Sequence, residues 1–305
     1  MREEDFAVIE KTKFMKLDAL RLVNEKNDEL IVITEVGPRI ISFKPEGREN
    51  FFWVNKKEIE KASKGDSTWH SFGGTRLWIA PEYELTYTPD NLPCETTVEG
   101  NKAKITAPVD GQTGLRRSIE IEVGKESFAI TYGLKNERKH LFTAALWVLS
   151  CLAPYKGAEI YLPWGADMEW DVKDMRYWKS WLGHGSNINS KQWKPTPEFF
   201  IVKTTHEQGK VGFPNRWGFC LFRYKKLAFI KKSDYIETAQ YPDDGCTLEV
   251  YTSKDFYELE TLSPLYVLKP GVIYTHSEEW WAGFDKVDVS TIAAAKRFVA
   301  EKLKK

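Results

Sequence analysis

Short β-prone runs separated by turn residues recur along most of this chain, and that pattern limits its fold more than any single motif. Residues 158–162, 199–203, 219–224, 227–231 and 247–252 each read as a strand, with turns such as Tyr224-Lys225-Lys226 and Asp243-Asp244-Gly245 between them. The run ELIVITEVGPRIISFKPEG from Glu29 predicts two short strands meeting at Gly37 and Pro38, and Phe51 to Val54 adds another. Thr97 to Ala107, with Gly100 and Asn101 at its centre, predicts a hairpin. Arg117 to Asn136 predicts a clearer one, in which Ile119, Ile121 and Val123 share a side and Phe128, Ile130 and Tyr132 return. Such spacing is that of an antiparallel sandwich.

Other segments depart from this rhythm. Leu141 to Leu152 is nearly all apolar and must be buried on both faces, as strand or helix. Asn55 to Ser63 reads as a helical turn or two capped by Asn55. Gly65 to Tyr87 is rich in Gly, Trp and His without a period, which predicts an ordered and functional loop. Trp164 to Pro197 carries Trp164, Trp170, Trp178, Trp181 and Trp193 among polar residues and reads as an irregular excursion over one end of the sheets. At the tail, Ser290 can cap a helix over about 290–304 whose apolar stripe is Ile292, Ala295, Phe298, Val299 and Leu303. No repeat, linker or composition shift divides residues 1–305, so a single domain is expected.

Composition narrows the partners. Lys plus Arg equals Asp plus Glu, 44 of each, and no basic stretch is interleaved with aromatics, which argues against nucleic acid. The N-terminal MREEDFAVIEKTKF lacks the apolar centre of a signal peptide, and no later run approaches a membrane span. A soluble cytoplasmic protein, monomer or weak dimer and away from membranes, is expected. Cys94, Cys151, Cys220 and Cys246 are widely separated, which predicts free thiols rather than a disulfide framework or zinc knuckle. Twelve Trp and thirteen Tyr exceed ordinary use, and such rings either fill a wide core or form platforms for sugar C–H faces.

The stretch Asp255 to Trp281, DFYELETLSPLYVLKPGVIYTHSEEWW, holds the most chemistry. In a strand, Glu258 and Glu260 share the face that ends in Leu262, while Tyr257, Leu259 and Thr261 turn away. Val272 to Trp281 then runs back after the turn at Lys269-Pro270-Gly271, which predicts a hairpin-like pair carrying acid on an inner face. An unpaired buried carboxylate is costly, so its presence asks for a purpose.

Leu259-Glu260-Thr261 with Pro264, together with GGTRLWIAPE at 73–82 and YPDDGCTLEVYT at 241–252, resembles galactose mutarotases (aldose 1-epimerases), in an uncharacterised branch of that superfamily. The resemblance is scattered from Gly37 to Trp281. It implies an all-β antiparallel β-supersandwich, here with a C-terminal helix, and a mono- or oligosaccharide ligand. Ring opening of a pyranose needs a base for the anomeric hydroxyl and an acid for the ring oxygen. The resemblance puts Glu260 on the catalytic glutamate, and His70 in WHSFGGTR precedes a glycine pair much as a mutarotase histidine does. A second mutarotase histidine follows an Asn in a sandwich strand; here Asn136 is followed by Glu137, and Trp147 or His140 lies near that place.

The residues offer further candidates. Arg76, Trp78 and Glu82 supply a forked donor, a stacking surface and an acceptor, and Arg76 suits a carboxylate or phosphate on a sugar as well as paired hydroxyls. A buried bridge from Arg76 to Glu82 is the bland alternative. Lys231, ending the run FIKK, is placed beside Glu260 or paired with Glu249, and a solvated strand end is its alternative. For Glu249, Glu258 and Glu260 the alternative is a salt-bridged sheet, and for Asp243 turn chemistry suffices. Dinucleotide, P-loop, nucleophile-elbow and zinc motifs are absent from the sequence, so neither a cofactor nor a metal is expected; Ca²⁺ near Glu82 or Glu260 finds no support in spacing. Two further functions fit the same residues: a sugar-binding or regulatory protein without catalysis, and a lyase or glycoside hydrolase using two acids among Glu82, Glu249 and Glu260.

Overall fold

A computed structural model describes residues 7–165 and 172–303. Most strands pair antiparallel into two large sheets that face each other across one apolar interior. At the centre of the first sheet the order is Thr75–Ala80, Phe142–Leu152, Tyr257–Leu262, Leu248–Thr252, Gly209–Phe213. Four strands between Val8 and Lys44 extend one edge, and Arg176–Tyr177 closes the other. In the second sheet Ile273–Gly283 lies between Leu227–Ser233 and Phe128–Asn136. Both predicted hairpins form there, as Glu95–Glu99 with Lys102–Val109 and Leu115–Val123 with Phe128–Asn136.

Parity decides which side chains meet where, because successive residues of a strand point to opposite faces. Leu77, Ile79, Leu146, Val148, Leu259, Phe229 and Trp280 project between the sheets into the main core. Trp78, Ala80, Ala145, Trp147, Leu149 and Leu262, of the opposite parity, gather on the outer face of the first sheet. Phe142–Leu152 is therefore covered on both sides, as its unbroken apolar sequence demands.

Three expectations change. The stretch Tyr257–Leu262 and the stretch Ile273–Gly283 do not form a hairpin: the first joins the first sheet and the second joins the other. The ten residues between them allow the chain to cross the sandwich, and Tyr266–Leu268 pairs with Phe142–Ala144 on the way. Gly65 to Tyr87 is not loop throughout, since Thr75–Ala80 is a central strand buried along its whole length. Both its faces are covered, so it lacks the alternation that marks a half-buried strand. Phe51 to Val54 makes only isolated bridges, Phe52 with Leu152 and Val54 with Gly73.

The small helices follow their caps. Asn55 accepts from the Glu58 amide at 3.3 Å and opens Lys56–Lys61. Thr291, rather than Ser290, caps Ile292–Lys302 by accepting from the Ala294 amide, while the Ser290 amide donates to Asp288. The expected stripe of that helix packs against Tyr161, Phe199 and Trp281 on the outside of the second sheet. In the excursion, Ser180–Trp181 and His184–Gly185 form a small hairpin and Trp193–Pro195 joins the second sheet. Trp164 is part of the main core, and Trp170 lies outside the described residues. No helix among the described residues is long and apolar enough to cross a membrane.

Candidate functional site

Strand register lays out the site as a grid on the outer face of the first sheet. One row runs Arg76, Leu149, Glu260, Glu249, Gly212; the next runs Cys151, Glu258, Tyr251, Lys210. Trp78, Trp147 and Leu262 make the row on the other side. Segments 69–71 and 82–87 and the 180–185 hairpin rise around this grid and enclose a hollow of about 280 Å³, whose rings are Trp69, Trp78, Tyr87, Trp147, Trp181, Tyr251 and Phe256. A larger groove of about 670 Å³ near Arg48, Tyr155, Tyr224 and Phe284 gathers no buried acid from the described residues, whereas the smaller one does.

Glu260 lies on the floor, wholly buried. Its Oε2 accepts from the Trp147 indole N–H at 2.7 Å, and its buried Oε1 meets no N–H or hydroxyl donor among the described residues. Burial pushes its carboxyl well above the usual carboxylate range; the Lys210 ammonium opposes this, and the charges of Glu249 and Glu258 reinforce it. Glu249, directly opposite and equally buried, is pushed up to about 7 by burial against the pull of Lys210. Burial also raises Glu258, whose partners are Arg76 Nη2 and the Cys151 thiol, both at 3.4 Å.

Lys210 is the hub that sequence reasoning missed. Its Nζ lies 2.8 Å from Glu249, 3.8 Å from Glu260 and 3.9 Å from Glu82, over the rings of Trp147 and Trp178. Burial works against its charge, but the three carboxylates outweigh that and hold its pKa above the ordinary value. An ammonium thus stands where these acids would otherwise draw a cation. Glu82 also accepts from the Tyr87 hydroxyl.

Arg76 spreads over Trp78, 3.8 Å from the ring centroid, with Trp69 beyond at 5.5 Å. Its ion-pair partner is Glu258, not Glu82. Nε and Nη1 are buried without hydrogen-bond partners among the described residues while the side chain lines the hollow.

Two expected positions move. Lys231 is not beside Glu260 or Glu249. It shares parity with Phe229 and points between the sheets, fully buried, 3.1 Å from Glu278 and bonded to Ser150 Oγ and the Leu259 carbonyl. His70 does not line the hollow. Its two ring nitrogens lie 2.9 Å from Glu58 and 2.8 Å from Asp66, so both carry protons and the imidazolium pins the loop after the 56–61 helix. Burial lowers its pKa, but the two carboxylates more than compensate and the net direction is upward.

Another histidine does line the hollow. Gln208 Oε1 accepts from the Gly185 amide at 3.3 Å, which turns its NH₂ toward His184 Nδ1 at 2.9 Å and the Tyr251 hydroxyl at 3.1 Å. Nδ1 therefore accepts in this arrangement, which puts the ring proton on Nε2.

Comparison with known proteins bears on the architecture. No protein-family model and no curated protein matches the chain. Among solved structures, a galactose mutarotase-like protein from Lactobacillus casei aligns over 90% of this chain and 100% of its own, at 8% identity and a TM-score of 0.57. The fold is galactose mutarotase-like. A galactose mutarotase-like protein from Clostridium acetobutylicum and a galactose mutarotase related enzyme from Lactobacillus acidophilus each cover 92% of this chain and 99% of their own, at 9% and 8% identity and TM-scores of 0.54.

Within this mutarotase-like fold, parity was the signal that separates the two buried lysines. Lys210 alternates with Val211 and Phe213, which enter the core, so it must face outward; Lys231 falls in step with Leu227 and Phe229. His184, Tyr251 and Phe256 carry no comparable mark, because a short hairpin and distant strands bring them together.

Proposed function

We propose that this chain is a carbohydrate-active enzyme of the aldose 1-epimerase type, with Glu260 as base. The observation that carries this is Glu260, buried on the floor of a ring-walled hollow where its Oε1 meets no N–H or hydroxyl donor among the described residues. Such an oxygen calls for a hydroxyl proton, because a buried acceptor left unsatisfied costs about 1–3 kcal/mol. The rings offer faces for the C–H surface of a sugar, and the free donors of Arg76 supply hydrogen bonds to its distal oxygens.

Glu260 takes the proton of the anomeric hydroxyl, the freed electron pair closes the carbonyl, and the bond from the anomeric carbon to the ring oxygen breaks. The ring oxygen takes a proton from Nε2 of His184 in its imidazolium form, Gln208 turning its Oε1 to the Nδ1–H so that a neutral ring is left; His184 replaces His70 in this role because it lines the hollow. Rotation of the carbonyl and the reverse transfers give the other anomer.

Proton-exchange spectroscopy on neutral, acidic and phosphorylated sugars tests the assignment. Accelerated anomer exchange that Glu260→Gln reduces at least about a hundredfold is expected, within the range for loss of a general base. Binding without turnover, unaffected by Glu260→Gln, would leave a sugar-binding protein instead, and new reducing ends or unsaturated uronates would leave a hydrolase or lyase.

A further inference from the structure

Glu249 is not among the residues lining the hollow, yet it lies directly opposite Glu260 with both side chains fully buried. The Lys210 ammonium is within 4 Å of Glu249, Glu260 and Glu82. Fully ionised, three carboxylates around one ammonium leave an excess of two negative charges, most of it in an interior without solvent. One bound proton halves that excess, and Glu82 is the least apt to hold it, since it is partly exposed and accepts from the Tyr87 hydroxyl. The remaining surroundings push the same way. Glu258 and Tyr251 lie in the next row, Asp243 acts on Glu249 from the preceding turn, and Arg76 is engaged with Glu258.

We propose that Glu249 is a positioning residue that shares one proton with Glu260 at neutral pH, Lys210 holding the pair in place. Resting on the epimerase assignment above, the pair goes from one proton to two when the anomeric hydroxyl is deprotonated and returns to one when the ring recloses. Glu260 is then a stronger base than a lone solvated glutamate. The direction of both carboxyls agrees with this, burial raising each against the pull of Lys210.

Infrared spectroscopy of the free protein in H₂O and D₂O tests the shared proton without any sugar. At neutral pH, Glu249→Gln and Glu260→Gln should each remove one protonated-carboxyl band and leave the carboxylate bands unchanged, because the surviving glutamate ionises beside Lys210. Two independently ionised glutamates would instead give, for each variant, loss of a carboxylate band and no loss of an acid band, and that result overturns the proposal. The wild-type spectrum needs no variant to fold, and the absence of any protonated carboxyl at neutral pH overturns it too. If the bands behave as expected but no sugar is turned over, the epimerase assignment falls and the shared proton stands. If sugars are turned over, Lys210→Met should move the acid limb of the pH–rate profile up by about one pH unit or more, whereas a purely structural Lys210 would leave it in place.

Discussion

Beneath the site, between the sheets, His276 offers a measurable test of how dry the interior is. It is 4% exposed; its Nε2 donates to Thr261 Oγ1 at 2.8 Å, and that hydroxyl donates to Glu278. Burial lowers its pKa from 6.5 to about 4, with the Glu278 charge opposing and the Lys231 charge assisting. His276 is therefore neutral in the fold and charged in the unfolded chain between those values. Its contribution to stability is fully present above pH 6.5 and is lost as pH falls through 4. At 1.36 kcal/mol per pH unit the whole loss is roughly 3 kcal/mol, and about 2.5 kcal/mol of it has gone by about pH 4.5. Glutamine can replace the Nε2 donor to Thr261 but does not titrate. Urea unfolding of wild type and His276→Gln at about pH 7.5 and about pH 4.5 isolates the effect, because every other group titrates alike in both proteins. The stability difference should move by about 2.5 kcal/mol against the wild type on acidification. A difference constant to within about 0.5 kcal/mol would show that His276 takes up a proton in the fold as readily as in the unfolded chain, and the dry polar cluster would be refuted.

Two further outcomes follow from the same geometry. Lys231→Met strands Glu278, which then keeps only Thr261, Tyr132 and the Trp280 indole as partners, and should cost about 3–5 kcal/mol in urea unfolding; adding Glu278→Leu should restore most of it. A cost below about 1 kcal/mol for the single change would mean that the pair is not closed. Trp147→Phe deletes the 2.7 Å donor to Glu260 and should slow anomer exchange about ten- to a hundredfold, the worth of a hydrogen bond to a charged group. Unchanged exchange with an intact near-ultraviolet spectrum would remove Trp147 from the catalytic arrangement.

Much of the strand pattern, the C-terminal helical stripe and the facing of Glu258 with Glu260 were set by the sequence itself, because alternation and helical spacing are local properties of consecutive residues. The sequence could not show that Thr75–Ala80 is a central strand, since a strand covered on both faces has no alternation to read. Nor could it show that Tyr257–Leu262 and Ile273–Gly283 belong to different sheets; only packing of the two layers decides where a ten-residue connection leads. The same holds for the site. Glu260 was legible from its own strand and Arg76 and Trp78 from the run after the glycine pair, but the partnership of Glu249, Glu260 and Lys210 is a matter of register between three strands. His70 and His184 look alike in sequence; what separates them is that one is locked between two carboxylates while the other stands at the hollow. Charge, hydroxyl and ring identities come from the chain, whereas their distances, and hence which carboxyl holds a proton, come from the folded sheet alone.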